Sequence, residues 1–266
     1  MLTGFCRYLN KNFMDKLSVV IITKNEAANI EKCLRSVKDI ADEIVIVDSY
    51  STDNTLDICA SYGARIFQRE WDDFSSQKNF GNEKAEYEYV FSIDADEELT
   101  KEMSDSIIKL KASGLGDGIA YEVKRLTYYC GKPIRHCGWY PDKKIRLWKK
   151  SECKWEGLVH EQLVFKNEVQ VKTLAGDMNH YTVTDMSQQI QKILTYTNYR
   201  IEKQLTDGNL KKPWIFKILA KPMLKFFDMY FLKLGFLDGF PGLVVSVNSS
   251  MSRFWYLAKL RMILNK

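Results

Sequence analysis

The chain has 266 residues, of which 45% are hydrophobic and 27% charged, an ordinary globular composition that excludes a disordered chain. Its net charge of +5 is unevenly placed: residues 210–266 hold ten basic against two acidic residues, so the rest carries a slight acidic excess. Six cysteines without a C-x-x-C pair exclude a conventional structural zinc site.

Residues 1–16 form a lead-in without the apolar core of a signal peptide. Leu17 to Ile22 is an almost continuous apolar run, the pattern of a parallel strand covered on both faces. Thr23-Lys24-Asn25-Glu26 follows, and Ala27 to Val37 reads as a helix with Ile30, Leu34 and Val37 on one side. Glu43 to Val47 is the next strand, ending in the polar loop Asp48-Ser49-Tyr50-Ser51-Thr52-Asp53-Asn54-Thr55 and a helix beyond it. Residues 64–68 suggest a third strand, Ser75 to Lys84 a helix, and Tyr89 to Ile93 a fourth strand.

That fourth strand runs into Asp94-Ala95-Asp96-Glu97-Glu98, four carboxylates in five residues. In an extended backbone Asp94 and Asp96 would share a face and suit a hard divalent cation. The plainer reading is a solvated helix start before Leu99-Thr100-Lys101. Repeated strand–helix units predict an open α/β sheet, with any ligand beyond the carboxyl ends of the strands. The polar clusters at 23–26, 48–55 and 94–97 all fall there. Neither G-x-G-x-x-G nor a P-loop is present, so side chains must hold a nucleotide. Asp48 suits an N–H donor on a base or ribose hydroxyls, or else closes its own loop, and Asp53 suits a helix cap.

In this order, the turn at Thr23–Glu26, the loop at Asp48–Thr55 and the D-x-D at Asp94–Asp96 resemble those of inverting glycosyltransferase family 2. The resemblance implies a GT-A type fold: an open, mostly parallel α/β sheet with flanking helices. It implies a UDP-sugar donor and a Mg2+ or Mn2+ cofactor. The implied donor site comprises Thr23, Asn25, Glu26, Asp48, Ser51, Asp53, Lys78, Asp94 and Ala95. Within it Asp48 would meet the base, Asp94 the sugar or ribose, and Asp96 the metal. His180 is added to the metal shell by analogy with other GT-A enzymes.

Downstream, Ile119 to Val123 reads as a strand, 136–141 as an irregular aromatic segment, and Lys143 to Trp148 as a half-exposed strand. Trp139, Tyr140 and Trp155 could stack on a sugar or belong to the core, the commoner fate of tryptophan. Arg146 and His160 join them as acceptor-side candidates. Inverting transfer needs a carboxylate to take the acceptor hydroxyl proton. Where family members carry an acidic pair this chain has His160-Glu161, which makes Glu161 the expected base and Glu156 its rival. Asp185 to Lys203 is a clear helix.

From Pro213 the pattern turns basic and aromatic, with Lys217, Lys221 and Lys225 every four residues and Pro222 expected to bend or interrupt the helix. Gly235 to Gly242 reads as a turn and Ser252 to Leu264 as a second basic amphipathic helix. Such helices suit an anionic membrane surface, against the alternative of packing on the catalytic core or on a second subunit of a homo-oligomer. Nucleic acid is disfavoured, because no recognisable module is present. The resulting division is a lead-in (1–16), a catalytic domain (17–205, with donor half 17–110 and acceptor half 111–205) and an amphipathic helical extension (206–266). The segments 155–161 and 231–242 resemble the branch that adds glucose to the lipopolysaccharide inner core. That implies UDP-glucose, a lipid-linked oligosaccharide acceptor, and a cytoplasmic, peripheral location on the bacterial inner membrane.

Overall fold

The computed structural model describes residues 14–157, 161–206, 208 and 212–265. Cys6, most of the lead-in and the acceptor candidate His160 lie outside the described residues. The described chain forms two compact units, residues 14–124 with 143–178, and residues 125–142 with 179–265. This partition interleaves along the sequence, whereas the sequence pattern suggested consecutive segments at 1–16, 17–205 (halves 17–110 and 111–205) and 206–266.

The first unit is built on β1 (Leu17–Thr23), in which all seven residues are buried. β2 (Glu43–Asp48) pairs with it in parallel on one side and β4 (Tyr89–Asp94) in parallel on the other. β3 (Arg65–Gln68) lies parallel to β2, giving the order β3-β2-β1-β4. Leu17, Val19, Ile21, Ile46, Phe91 and Ile93 share a core with Ile30, Cys33, Leu34 and Val37 of α1 (Ile30–Val37). α1 starts three residues later than its apolar pattern suggested, because the Glu26 carbonyl accepts from both Asn29 and Ile30 in a tight turn. α2 (Thr55–Ser61) and α3 (Phe74–Lys84) complete the strand–helix repeats.

Beyond β4 the sheet becomes mixed. After a two-residue turn comes β5 (Glu97–Leu99), then α4 (Lys101–Ser113), capped by the Thr100 hydroxyl. β6 (Ile119–Tyr129), β7 (Lys132–Pro133), β8 (Asp142–Lys149), β9 (Cys153–Glu156), β10 (Gln162–Phe165) and β11 (Gln170–Val183) follow. β8 runs antiparallel to β4, and β9 with β10 makes a separate hairpin. The α/β architecture is thus that expected from the sequence, with parallel strands on one flank and antiparallel additions on the other.

The second unit contains residues 125–129 of β6, 179–183 of β11, and the helices α5 (Met186–Thr206), α6 (Ile215–Phe227) and α7 (Gly239–Ile263). It has its own cores, one around Tyr129, Ile134, Cys137, Met229 and Val245, the other around Ile201, Ile218, Tyr256 and Leu260. Two expectations are corrected here. Pro222 lies inside α6 without breaking it, and its carbonyl accepts from Ser250 (2.8 Å). The turn expected over 235–242 instead feeds a 25-residue helix. Gly242 is already within that helix, and a Cβ there would lie 1.9 Å from the Gly235 carbonyl oxygen. Glycine marks close packing at this point rather than a turn.

Gly81 of α3 plays the same part in the first unit, since a Cβ would meet Val20 at 2.4 Å and Val47 at 3.0 Å. Alanine improves helix propensity by about 1 kcal/mol, whereas overpacking costs about 1–3 kcal/mol. Both valines are buried strand residues with stiff side chains, so packing should win. Gly81→Ala should therefore lower the thermal unfolding midpoint. An unchanged or raised midpoint would show that α3 can move off the sheet.

Candidate active site

In the strand order β3-β2-β1-β4 the chain direction of growth reverses between β1 and β4, the place where open α/β sheets bind ligands. Register brings the strand ends level there, with Thr23 opposite Asp48 and Ile22 opposite Asp94. The three polar clusters singled out in the sequence meet at this edge of the first unit.

The first two clusters are laced together. Asn25, at φ 54°, donates its backbone N–H to Ser51 Oγ (2.8 Å), and its Oδ1 accepts from Thr52 N (2.7 Å). Glu26 N donates to Thr55 Oγ1 (2.9 Å), and Ala27 N to Asp53 Oδ2 (3.1 Å). The Thr55 hydroxyl, donating to Asp53 Oδ1, holds the Asp53 carboxyl below its usual range, helped by the backbone N–H groups of Ala27 and Thr55. Asp48 is fully buried and accepts from Ser51 N (2.9 Å), Ser51 Oγ (2.5 Å) and Gln68 Nε2 (3.1 Å). In this conformation Asp48 closes its own loop, and Asp53 ties the first turn to α2. Direct contact between Asp48 and a base does not fit that burial.

α3 supplies the other wall with a buried face that is polar. Ser75, Lys78, Asn79 and Asn82 recur at helical spacing. Ser75 Oγ donates to the Gly157 carbonyl (2.5 Å). Asn79 exchanges two hydrogen bonds with the Trp155 backbone (2.8 and 2.9 Å). Together they fix Trp155 and Gly157 against α3. Lys78, 3% exposed, sets its ammonium 3.0 Å from Glu161 Oε1 and 3.3 Å from Asp94 Oδ1, and 4.7 Å from the Trp155 ring centroid. The expected base and the first D-x-D carboxylate are therefore joined by one lysine.

Behind Asp94 lies a buried ion pair. Arg146 places one guanidinium nitrogen 2.6 and 2.7 Å from the two oxygens of Glu97 and 3.1 Å from Asp94 Oδ2. Glu97 also accepts from the Asp94 backbone N–H (2.9 Å). Burial alone would lower the Arg146 pKa, but the Glu97 and Asp94 carboxylates outweigh it and push it above its ordinary value. Cys33 lies beneath the same charges. Burial first, then Glu97, Asp96 and Asp94, hold its thiol far above the usual range.

Asp96 sits in the turn between β4 and β5, not in the extended backbone expected for the D-x-D. The solvated-helix reading of these acids is also displaced, because Glu97 is buried in β5. The cluster sets the cations Lys78 and Arg146 against Asp94, Asp96, Glu97 and Glu161. That surplus of carboxylate oxygens fits a hard divalent cation sharing phosphate ligands. Among the described residues, no group of three or more His, Cys, Asp or Glu could hold a metal ion with protein ligands alone.

The remaining candidates separate. Glu156 is about half exposed on β9 and pairs with Lys154 (2.8 Å). Trp155 is 8% exposed and packs edge-on against Trp148, so it is a core residue under Lys78 rather than a sugar platform. Arg146 is likewise too buried for the acceptor role expected of it. Ala95 is buried in the main core. Trp139, Tyr140 and His180 belong to the second unit. There Trp139 and His180 line a 420 Å³ cavity with Arg125 and Asp142, and Arg135 lies 5.8 Å from the Tyr140 ring centroid. Glu97 was placed in the acidic cluster but given no role, and Ser75 and Asn79 were not among the site candidates. The polar stripe of α3 was the available signal, since a helix facing a sheet ordinarily buries apolar residues.

Residues 18–138 match the Glycosyl transferase family 2 model. An uncharacterized glycosyltransferase of Rickettsia bellii is 35% identical over 92% of this chain and 86% of its own length. The lipopolysaccharide core biosynthesis glycosyltransferase LpsC of Rhizobium meliloti is 29% identical over 92% of this chain and 91% of its own. Glucosyl-3-phosphoglycerate synthase of Mycobacterium tuberculosis, in a complex with Mn2+, UDP and glucosyl-3-phosphoglycerate, covers 43% of this chain and 44% of that one. Its identity is 26% and its TM-score 0.35, a shallow overlap that carries no argument about ligands.

The buried ion pair separates scaffold from acceptor contact. Arg146→Met leaves Glu97 buried without its partner and should cost about 3–5 kcal/mol, whereas Arg146→Met with Glu97→Leu should recover most of it. Urea denaturation measures both. If the single variant keeps its stability and only the acceptor KM rises, Arg146 is an acceptor residue after all.

Proposed function

The chain belongs to glycosyltransferase family 2, and from that premise we propose that it moves glucose, with inversion, from UDP-glucose to a heptose of the lipopolysaccharide inner core. The observation that carries the reading is the Asp94–Lys78–Glu161 bridge, at 3.3 and 3.0 Å. An inverting transfer needs a base within reach of the acceptor hydroxyl as it meets the donor sugar. A shared ammonium keeps Glu161 and Asp94 close without mutual repulsion. The acceptor chemistry draws on the likeness to the lipopolysaccharide core transferase over nearly the whole chain.

In this scheme Glu161 takes the proton from an acceptor hydroxyl as its oxygen attacks the anomeric carbon. The bond to UDP breaks on the opposite face of the sugar. Lys78 orients Glu161, and Arg146 with Glu97 fixes Asp94 so that it can orient the donor sugar. Asp96 is the residue assigned to a Mg2+ or Mn2+ ion, which when bound would offset charge on the departing diphosphate. Glu156 is assigned no chemical step, because it points outward to Lys154.

A lipid-linked acceptor requires the enzyme to work at a membrane surface. No single described helix is long and apolar enough to cross a membrane, although one pair, Ile215–Leu232 with Gly235–Ile263, passes by length and composition with a 70° bend. The second unit exposes Trp214 (81%), Phe216 (81%), Met223 (72%) and Phe240 (75%). Side chains of this kind insert at the headgroup level. A peripheral position on the cytoplasmic face is accordingly part of the proposal.

Glu161→Gln should retain UDP binding while transfer falls about 10²–10⁴-fold, the scale for losing a positioned base. Glu156→Gln should remain within a few-fold of the parent. Sugar-transfer rates with the two variants decide, and the reverse pattern would exchange the roles. Trp214→Ser with Phe216→Ser should weaken sedimentation with anionic vesicles roughly 100-fold or more, given about 1.5–3 kcal/mol for each large apolar side chain buried. Equal sedimentation of variant and parent would remove this surface from the membrane.

A further inference from the structure

A cavity of about 910 Å³ in the second unit is walled by α5, α6 and α7 together with Trp139, Thr182 and Val183. Five cations line it: Lys192, Arg200, Lys221, Lys225 and Arg253. Among the described residues no Asp or Glu does. Lys192 donates to the Thr182 carbonyl and hydroxyl (2.7 and 2.9 Å). Arg200 stands 4.4 Å from the Tyr256 ring centroid and Arg253 5.9 Å from it. None of Arg200, Lys221, Lys225 or Arg253 has a carboxylate partner among the described residues. The Lys221 ammonium is held below its usual pKa first by Lys217, which lies outside the cavity lining, and then by Arg253 within it.

Lys221 and Lys225 were expected to flank an apolar face on the membrane side of the helix. Instead they turn into this cavity. Like charges gathered in a concave site raise the folded state's energy unless an anion enters. Guanidinium and ammonium groups converging from three helices suit a doubly charged phosphate better than a single carboxylate. Half-exposed Tyr196 and partly buried Trp139 offer apolar faces for the group that bears it.

We infer that this cavity binds a phosphate monoester, carried either on a membrane lipid headgroup or on a soluble sugar phosphate. The first source has a structural argument: Leu224 both lines the cavity and is 66% exposed, which joins the site to the apolar surface of α6. The inference deepens the proposed function by making the acceptor a phosphorylated one, and it rests on that reading for its role but not for its chemistry. Binding is read without donor, so failed sugar transfer leaves the anion site standing, and loss of the anion site leaves UDP binding intact.

The test uses the full chain with phosphatidylcholine vesicles containing phosphatidic acid, a monoester, or phosphatidylglycerol, a diester, matched for total charge. The parent should prefer the monoester vesicles roughly 10-fold, and Lys221→Gln with Arg253→Gln should abolish that preference, since a charge-assisted bond is worth about tenfold. Lys221→Arg with Arg253→Lys preserves charge and should keep it, which separates lost recognition from lost folding. Glucose 6-phosphate, titrated by calorimetry, distinguishes the sources. Equal affinity for it and for the vesicle indicates a soluble ester, and binding to vesicles alone indicates a lipid. Equal binding of monoester and diester vesicles together with no binding of glucose 6-phosphate would overturn the inference. So would a monoester preference that survives in the glutamine variant.

Discussion

The buried pair of Arg146 with Glu97 is the constraint on which the donor side of this protein depends. Both side chains are almost wholly removed from water, at 3% and 0% exposure. Burying an ion pair is seldom a net gain in stability, because desolvation competes with attraction. What this pair supplies is position. Glu97 takes the Asp94 backbone N–H while Arg146 takes an Asp94 carboxylate oxygen, so Asp94 is fixed at both ends. From Asp94 the chain of charges runs through Lys78 to Glu161.

That chain explains why the sheet changes character where it does. Parallel strands suffice to bring 23–26, 48–55 and 94–96 to one edge. They do not supply a cation behind Asp94. β8, entering antiparallel to β4, carries Arg146 to that place, with Leu147 and Trp148 beside it in the core. α3 completes the arrangement by burying polar groups where a structural helix would bury leucines. Its helical and packing interests are subordinate to the site, and Gly81 is what lets so polar a helix lie close to β1 and β2.

The second unit follows a different logic. Its helices are held by small-residue contacts and polar locks. Asp238 accepts from the backbone and ring of His136, and Asn248 is wedged between Gln189 and Tyr129. The residues read as a basic amphipathic extension supply α6 and α7 of this unit. Residues 125–142, well upstream of the extension that starts at 206, are part of the same unit, and Tyr129, Ile134 and Cys137 share a core with Met229 and Val245.

The sequence by itself determined the α/β class, the parallel strands and the place of the acidic cluster, because apolar runs and polar loop ends follow from short-range pattern. Glu161 and Lys78 entered as site candidates through the family resemblance, and their ion pair came only from the structure. The sequence left Asp48 open between base contact and loop closure, and only the tertiary structure, by burying it under Ser51 and Gln68, favoured the latter. The partnership of Glu97 with Arg146 was equally invisible, since the two are distant in the chain and Arg146 sits in an alternation that reads as half-exposed strand. The helix that begins at Gly239 was hidden for the same reason in reverse. Glycine and proline there have the local signature of a turn, and only the close approach of Gly235 to Gly242 shows that the glycine is needed for packing. Local pattern records which groups a segment prefers to bury, but which charge meets which is decided by the sheet order that brings remote segments together.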